Sequence, residues 1–388
     1  MTFRELDYYG IDELYTDEER MARDTVRAFV QAEVMPEIGK HFTAGTFPSR
    51  LIPRFGELGL LGASLSGYGC PGMSATAYGL ICQELERGDS GIRSFCSVQS
   101  SLVMYPIWAF GSEEQKQRYL PEMAAGRVIG CFGLTEPDFG SNPAGMLTTA
   151  VKTAGGYRLS GTKRWITNGS IAQVALVWAK LDGQVRGFLV PTDRPGFTAR
   201  DIHGKWSLRA SVTSELVLED VEVGEDAILP GVTGLKGPLS CLTQARFGIC
   251  FGAVGAMLAC YDEALGYARE RVQFSRPIAG YQLVQEKLVV MVQEITKAQL
   301  LDLQLGRLKE AGKLRPQQVS LAKRNNVYWA REIARTARDI LGANGVTDEY
   351  QCGRHMLNLE SVYTYEGTHD IHTLVVGQDV TGLAALDG

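Results

Sequence analysis

The most distinctive stretch of the sequence lies near its end and consists of Val362-Tyr363-Thr364-Tyr365-Glu366-Gly367-Thr368-His369-Asp370-Ile371-His372. Apolar segments with helical spacing flank it, and the glycine after Glu366 predicts a helix break where that carboxylate reaches into a cleft. Aromatic and apolar neighbours disfavour the ionised form of a carboxylate, which raises its pKa toward the value that a general base needs. The plainer alternative is a surface loop in which Glu366 is solvated.

The composition describes a large globular chain with little affinity for polyanions. The 388 residues are 45% hydrophobic, which is enough for a large core and for more than one structural unit. The net charge is −5, and acidic and basic residues are interspersed without a basic stripe. Nucleic acids and anionic membranes are therefore poor candidates as principal partners.

Cysteine usage and hydropathy favour a reducing compartment. The eight cysteines form no Cys-x-x-Cys pair, and several lie in apolar runs where a thiol behaves as a small hydrophobic group. The stretch from Met1 to Asp7 has no apolar signal core, and we expect no run that approaches the roughly 18 apolar residues of a membrane span. These features predict a cytoplasmic protein without membrane insertion.

The first third of the chain has helical periodicity. Thr16-Asp17-Glu18-Glu19 is a capping box, and the apolar positions that follow it predict a helix that ends at Pro36. Further helices are predicted over residues 51–61, 74–86 and 97–110, and a second capping box opens another helix at residues 112–115.

The middle of the chain changes to short strand-like segments, and long helices return after it. Strands are predicted over residues 150–153, 157–162, 173–180, 186–190 and 214–223, and they indicate a small antiparallel barrel or sandwich. Helices are predicted over residues 245–271, 283–311 and 316–341, with a short one after Glu366. No low-complexity linker separates these blocks, so we expect one compact subunit.

This order of blocks, together with the string from Tyr365 to His372, closely resembles the acyl-CoA dehydrogenases, FAD enzymes that oxidise the Cα–Cβ bond of acyl thioesters. The resemblance covers essentially the whole chain. It implies an α+β fold with an N-terminal helical domain (1–130), a middle β-barrel-like domain (131–239) and a C-terminal four-helix bundle (240–388).

The resemblance also assigns roles within the distinctive stretch. It implies that Glu366 removes the α-proton of the thioester and that the Glu366 backbone N–H helps to polarise the thioester oxygen. Tyr365 and Gly367 are then expected at the substrate, and Thr368 and Asp370 at the cofactor.

The implied flavin would not occupy a Rossmann site, because no Gly-x-Gly-x-x-Gly follows a strand. The segment from Phe132 to Ser141 could donate hydrogen bonds to a flat ring, although taken alone it is equally a tight turn. It resembles the family's loop over the isoalloxazine, and a second segment resembles the strand that flanks the ring. The implied flavin contacts are Phe132, Leu134, Thr135, Ser141, Trp165, Ile166 and Thr167. Ser141 is also expected beside the thioester, and its neighbour Asn142 replaces the usual Asp.

The adenosine half of FAD and the CoA moiety have their own resemblances. Arg271, Phe274 and Gln282 resemble residues that hold FAD from a neighbouring subunit, as do Leu341 and Gly342 in a glycine-containing turn. Ser275 stands where Gly is common. Asp339 stands where Gln is common, and an acid there would repel a pyrophosphate. Arg246 is the expected CoA contact, although Thr243 and Gln244 alter the usual residues beside it.

The segment from Glu84 to Ser101 suggests the substrate. Taken alone, it predicts a helix end, a polar turn and a new helix with Arg93 in solvent. It is similar to the pocket of the glutaryl-CoA branch of the family, in which an arginine at this position binds the distal carboxylate bidentately. Ser94 and Ser97 are then expected at the substrate. Glu86 and Tyr365 match the decarboxylating members, in which the acid would repel the substrate carboxylate and favour its loss as carbon dioxide.

The resemblance therefore implies an FAD-dependent dehydrogenase of the glutaryl-CoA branch that passes electrons to an electron-transferring flavoprotein and assembles as a homotetramer. Only two of the five histidines cluster, and no carboxylate pair accompanies them, so no metal is expected. The alternatives are an acyl-CoA oxidase, a dehydrogenase for another dicarboxylic thioester, and a non-catalytic nucleic-acid-binding member. The negative charge and the intact Glu366 argue against the last.

Overall fold

The computed structural model describes residues 6–385. Most of the stretch from Met1 to Asp7, in which we expect no signal core, therefore lies outside the described part. The chain forms a helical part, a β part and a second helical part in that order. The helices of the first part are α1 (Asp17–Phe29), α2 (Met35–Ala44), α3 (Ile52–Glu57), α4 (Ala75–Gly88), α5 (Ser90–Ser97), α6 (Tyr105–Phe110) and α7 (Glu113–Ala124). A small hairpin, β1 (Ser66–Gly67) and β2 (Cys70–Pro71), lies between α3 and α4.

The helix starts predicted at Thr16, Ser74 and Ser112 are confirmed, but the predicted stop at Pro36 is wrong. Capping boxes at Thr16 and Ser112 open α1 and α7, and the Ser74 side chain caps α4. Helix α1 runs through a π-helical turn, Val30–Val34, directly into α2. Pro36 thus falls in the first turn of α2, directly after the π-helical turn, and does not end the helical rod.

Two other helix boundaries differ from the prediction. The helix expected over residues 51–61 ends at Glu57, because Gly59 and Gly62 have left-handed φ values of 68° and 69°. The helix expected over residues 97–110 is part of a longer rod, in which α5 continues through a π-helical stretch, Val98–Met104, into α6.

The β part is one seven-stranded sheet. Its strands are β3 (Gly130–Gly133), β4 (Thr149–Thr153), β5 (Gly156–Thr167), β6 (Val174–Leu181), β7 (Gln184–Pro191), β8 (Phe197–Asp201) and β9 (Thr213–Gly224). The expectation of an antiparallel sheet is wrong in part, because β3 and β4 both run parallel to β6 and share one of its edges. The other strand pairs are antiparallel, and the sheet encloses its own apolar core.

The second helical part is a bundle built around one long helix. It consists of α8 (Lys236–Glu270), the hairpin β10 (Val272–Gln273) and β11 (Arg276–Pro277), α9 (Gln282–Glu310), α10 (Pro316–Ile340), α11 (Cys352–Thr364) and α12 (His369–Thr381). Helix α8 begins nine residues before the predicted start at 245 and packs against α4 as well as α9 and α10. It therefore joins the two helical parts.

Helix α8 also corrects the expectation that no apolar run approaches the length of a membrane span. By length and composition alone it could cross a membrane, since its most apolar 18-residue window has a mean hydropathy of 1.4. However, 78% of that window is buried inside the protein. A central helix that packs against neighbours on all sides has the same apolar composition.

A buried ion pair fixes the junction of α4 and α5 against α11. Asp89 caps α5 by accepting the Gly91 N–H at 2.7 Å. Its other carboxylate oxygen accepts Nη1 of Arg354 at 2.6 Å and Nδ2 of Asn358 at 2.9 Å, both from α11. Arg93 on α5 and the loop after α11 are therefore held in a defined relative position.

Candidate active site

Glu366 lies in the break between α11 and α12, as the sequence predicts. Helix α11 ends at Thr364, and the Thr368 hydroxyl caps α12 by accepting the Ile371 N–H at 3.1 Å. Glu366 has a left-handed φ of 52°, followed by 89° at Gly367. A left-handed backbone costs a non-glycine residue roughly 1–2 kcal/mol. Such strain persists only where the surroundings impose it, and it concentrates at functional sites.

Glu366 is half-buried, and one oxygen of its carboxyl is shielded from water. Its Oε2 is buried and has no hydrogen-bond partner among the described residues. Burial raises the pKa of Glu366, although three cations, Arg93, Lys323 and Arg246, oppose that rise. The expectation of a raised pKa is confirmed, and its main cause is burial. A desolvated carboxylate with a raised pKa is suited to accept a proton.

Arg93 is buried in the wall beside Glu366, which excludes the solvated alternative. Its Nε donates to Glu86 Oε2 at 2.6 Å, and its Nη2 donates to the Tyr365 hydroxyl. Burial favours loss of its proton, but Glu86 and Tyr365 outweigh this effect, so the pKa of Arg93 stays well above its usual value. Its Nη1 is buried without a partner among the described residues. A buried guanidinium with one unused nitrogen suits an anionic ligand.

Glu86 has both carboxylate oxygens engaged. Oε2 accepts from Arg93, and Oε1 accepts the Ser90 hydroxyl at 2.8 Å. Because Arg93 offsets its charge, Glu86 orients the guanidinium in this structure, and its expected repulsion of a ligand carboxylate is weakened. The orientation leaves Nη1 as the nitrogen that is free to bind.

Gly252 on α8 makes room for this ion pair, and the sequence analysis missed it. A Cβ at Gly252 would overlap Oε2 of Glu86 and would approach Nε of Arg93 to 3.3 Å. Only a residue without a side chain fits there, so α8 approaches α4 closely enough to bury the pair. The sequence shows a glycine at this position, but the need for it arises from its contact with Glu86 and Arg93, which are far from it in the chain.

Lys323 was missed as well, although the sequence held a signal for it. The buried positions of α10 include Val319, Ala322, Asn326 and Val327, so helical spacing places Lys323 on the same face. Its Nζ donates to the Gly367 carbonyl at 2.7 Å and to the Tyr365 carbonyl. A lysine on a buried helix face needs oxygen acceptors, and the Glu366 loop supplies them.

The expected flavin loop is built on a buried ion pair. Lys163 Nζ donates to the Leu134 carbonyl at 3.1 Å and to Glu136 at 2.9 Å. Glu136 also accepts the Thr148 N–H at 2.9 Å. Burial lowers the pKa of Lys163 to about 8, although Glu136 opposes the change. These bonds fix the turn after β3 against β4 and β5.

The residues around that turn fit a flat, acceptor-rich ring. The Trp165 side chain is 55% exposed and has a left-handed φ of 63°, while Ile166 is buried beside it. The hydroxyls of Thr135 and Thr167 form no hydrogen bond within the described part of the chain. An exposed indole with two free hydroxyls close to it in the fold is the chemistry that an isoalloxazine needs.

Other predicted site residues occupy different environments. Phe132 and Leu134 are buried under the turn, and Ser141 and Asn142 lie exposed on the loop after it. Ser94 and Ser97 are buried on α5. Arg246, expected at CoA, donates from Nε to the Glu366 carbonyl at 2.7 Å. Thr368 caps a helix, and Asp370 is exposed in the first turn of α12.

The predicted adenosine residues gather at one end of the bundle. Arg271, Phe274 and Gln282 are exposed around the β10–β11 turn, and Lys287 of α9 pairs with Asp339 near Leu341 and Gly342. Within residues 6–385, no hydrogen bond or ion pair joins this group to the flavin loop. Lys287 lowers the pKa of Asp339 and offsets its charge, which reduces the expected repulsion. Ser275 has a φ of 68°, which explains why glycine suits that position.

The described residues contain no group of three or more His, Cys, Asp or Glu that could hold a metal ion. His369 instead stacks on Tyr363 with ring centroids 4.6 Å apart, and His372 is buried below Gly367. Burial lowers the pKa of His372 to about 2, so this imidazole is neutral.

Comparisons with known proteins cover all three parts of the fold. The chain matches the family models for the acyl-CoA dehydrogenase N-terminal domain (residues 16–127), middle domain (131–221) and C-terminal domain (233–381). The probable acyl-CoA dehydrogenase YngJ of Bacillus subtilis is 35% identical over 375 residues, which cover 94% of this chain and 98% of the relative.

Two solved structures are more similar still. A crystal structure of glutaryl-CoA dehydrogenase from Mycobacterium smegmatis is 59% identical with a TM-score of 0.96, covering 97% of this chain and 98% of that one. A second glutaryl-CoA dehydrogenase from the same organism, in complex with FADH2, is 54% identical with a TM-score of 0.97, covering 98% and 99%.

Two glycines of α8 test the close approach around Arg93. Gly252→Ala should lower the free energy of unfolding by about 1–3 kcal/mol, because the added methyl overpacks against Glu86. Gly266→Ala is the matched control, since no atom lies within 4 Å of its added Cβ. Alanine favours a helix over glycine by roughly 0.5–1 kcal/mol, so this control should be stabilised. Urea unfolding midpoints that moved in the same direction for both variants would contradict the packing argument.

Proposed function

This chain belongs to the acyl-CoA dehydrogenase family, and we propose that within this family it oxidises glutaryl-CoA. The observation that carries the proposal is the unused Nη1 of Arg93, a buried cationic donor beside the base Glu366. A monocarboxylic acyl chain would leave that donor unpaired at a high cost, whereas the distal carboxylate of a dicarboxylic chain would satisfy it. The 59% identity to a glutaryl-CoA dehydrogenase supports the same substrate.

In the proposed reaction, the Glu366 carboxylate takes the α-proton of the thioester and becomes a carboxylic acid. Burial of the Glu366 carboxyl raises its pKa, so the carboxylate is a stronger base than a solvated one. Arg93 binds the far end of the acyl chain, and Glu86 and Tyr365 fix its guanidinium. With the distal carboxylate held, the α-carbon is positioned at the base.

FAD is the cofactor of this family, and when bound it accepts the hydride that leaves Cβ. Trp165, Thr167 and Thr135 would hold its ring, on a turn fixed by Lys163 and Glu136. Arg271, Phe274, Gln282 and the turn at Leu341–Gly342 would hold the adenosine half of a neighbouring subunit's FAD. No hydrogen bond or ion pair joins these two groups within residues 6–385, which is in keeping with the proposed homotetramer, in which adjacent subunits complete each flavin site.

We further propose that oxidation is followed by decarboxylation. The distal carboxylate would leave the α,β-unsaturated thioester as carbon dioxide, and its bonding electrons would pass into the conjugated system to form a dienolate. The proton held by Glu366 would then be returned to the far carbon, which gives crotonyl-CoA. Glu86 and the Tyr365 hydroxyl flank the guanidinium that holds the carboxylate, so both are placed to influence its departure. Electrons would pass to an electron-transferring flavoprotein, in the cytoplasm.

Substrate preference tests the role of Arg93. Arg93→Met should reduce kcat/KM for glutaryl-CoA about 10- to 100-fold more than for butyryl-CoA, because a charged hydrogen bond contributes roughly 1.5–3 kcal/mol. The double variant Arg93→Met/Glu86→Gln removes the carboxylate that the single change strands, and it should show the same preference. Equal losses on the two substrates would show that Arg93 only supports the structure. If the wild type has a higher kcat/KM for a different dicarboxylic thioester, that thioester and not glutaryl-CoA is the substrate.

Product analysis tests the second step. With glutaryl-CoA labelled in its distal carboxyl and an excess of electron acceptor, we expect one labelled carbon dioxide for each acyl chain oxidised, with crotonyl-CoA as the product. Accumulation of glutaconyl-CoA with its label retained would show that the reaction ends at oxidation.

A further inference from the structure

One buried cation and one half-buried cation bind three consecutive carbonyl oxygens of the Glu366 loop. Lys323 is 1% exposed, and its Nζ donates to the carbonyls of Tyr365 and Gly367, the second at 2.7 Å. The carbonyl between them belongs to Glu366 and accepts Nε of Arg246 at 2.7 Å. Lys323 therefore contacts the backbone on both sides of the base.

This arrangement requires the unusual backbone of the loop. In an extended strand, successive carbonyls point to opposite sides, and those of residues two apart lie several ångströms from each other. A single ammonium reaches both only because the chain turns sharply at Glu366 and Gly367, with φ values of 52° and 89°. The strain at Glu366 and the contacts of Lys323 thus depend on each other, since losing the contacts would leave the strained conformation unsupported.

The charge of Lys323 also acts on Glu366. Burial lowers the pKa of Lys323, and Glu366 is the largest opposing influence. The other groups that face Lys323 are Arg246 and Cys250 from α8, Arg93 from α5 and the Tyr365 ring. From α12, His369 and His372 also interact with Lys323, which helps to lower their pKa values. Burial raises the pKa of Cys250 well above its usual value, so that thiol is neutral. Glu366 is therefore the only anion among these groups.

We propose that Lys323 is the positioning residue of the base: it holds the Glu366 backbone in its left-handed conformation, and its charge favours the ionised form of the Glu366 carboxylate. This role rests on the proposed function of Glu366 as the base. Without the cation, burial would leave the carboxyl protonated to a higher pH, and the loop would be free to relax.

The test compares Lys323→Met with Lys205→Met in FAD-loaded protein. Lys205 is a matched control because its Nζ also donates to two oxygens, of Ser211 at 2.8 Å and Thr213 at 2.6 Å, and neither belongs to the Glu366 loop. Three quantities are measured: the rate of flavin reduction by glutaryl-CoA against pH, the affinity for glutaryl-CoA, and amide hydrogen exchange in the peptide spanning residues 362–372.

For Lys323→Met we expect a loss of about 10²-fold in the reduction rate, the size of effect that a small misplacement of a reacting group produces. The acid limb of the pH profile should move to higher pH, exchange around Glu366 should accelerate, and affinity should change little. Lys205→Met should match the wild type in all three. If Lys323→Met does not fold, Lys323→Gln supplies an uncharged donor. For this variant we expect the same shift of the pH profile, and amide exchange in residues 362–372 that is slower than in a loop without such a donor.

A Lys323 variant with the wild-type pH profile and wild-type exchange would overturn the proposal, while reduction of the wild-type flavin by glutaryl-CoA would leave the proposed function intact. If glutaryl-CoA fails to reduce the wild-type flavin, the proposed function itself is wrong. In that case, unchanged exchange in Lys323→Met would also overturn the structural half of the proposal, and accelerated exchange would support it.

Discussion

The buried guanidinium of Arg93 is the constraint on which the site depends. A charge without water is costly unless every neighbour supports it, and four elements meet this requirement here. Helix α4 supplies Glu86, α8 supplies the space at Gly252, and the loop after α11 supplies Tyr365. The fourth element is the α4–α5 junction, where Asp89 binds Arg354 of α11 at 2.6 Å. These contacts join the two helical parts around one unused donor, Nη1.

A second constraint acts on the base. The same burial that suits Glu366 to the proposed role of base also opposes its ionisation, so its charged form depends on nearby cations. Arg93, Lys323 and Arg246 approach it from three different helices, and two of them bind loop carbonyls instead of the carboxylate. This leaves the carboxylate oxygens free for a substrate proton. A direct salt bridge would have lowered the pKa of Glu366 and occupied those oxygens.

Local sequence signals predicted much of this structure, and the failures have a common physical cause. Capping residues at Thr16, Ser74 and Ser112 fixed helix starts, and the glycine after Glu366 marked the break, because both effects act within a few residues. The helix end predicted at Pro36 was wrong because the π-helical turn before Pro36 continues directly into α2. The parallel pairing of β3 and β4 with β6 escaped notice because strand partners are chosen across the fold. Gly252 escaped notice for the same reason, since the side chain that excludes its Cβ belongs to Glu86, far away in the sequence. The domain limits and the individual cofactor contacts stay predictions.

The central claim is that Glu366 is the base for oxidation of a glutaryl thioester. The most direct measurement is anaerobic stopped-flow reduction of bound FAD by glutaryl-CoA in the wild type and in Glu366→Gln, which keeps the shape of the side chain and removes the proton acceptor. We expect rapid bleaching of the wild-type flavin. In the variant, which should still bind FAD and glutaryl-CoA, the rate should fall at least about 10²–10⁴-fold, the contribution of acid–base catalysis. Bleaching of Glu366→Gln at the wild-type rate would contradict the account and place the base elsewhere.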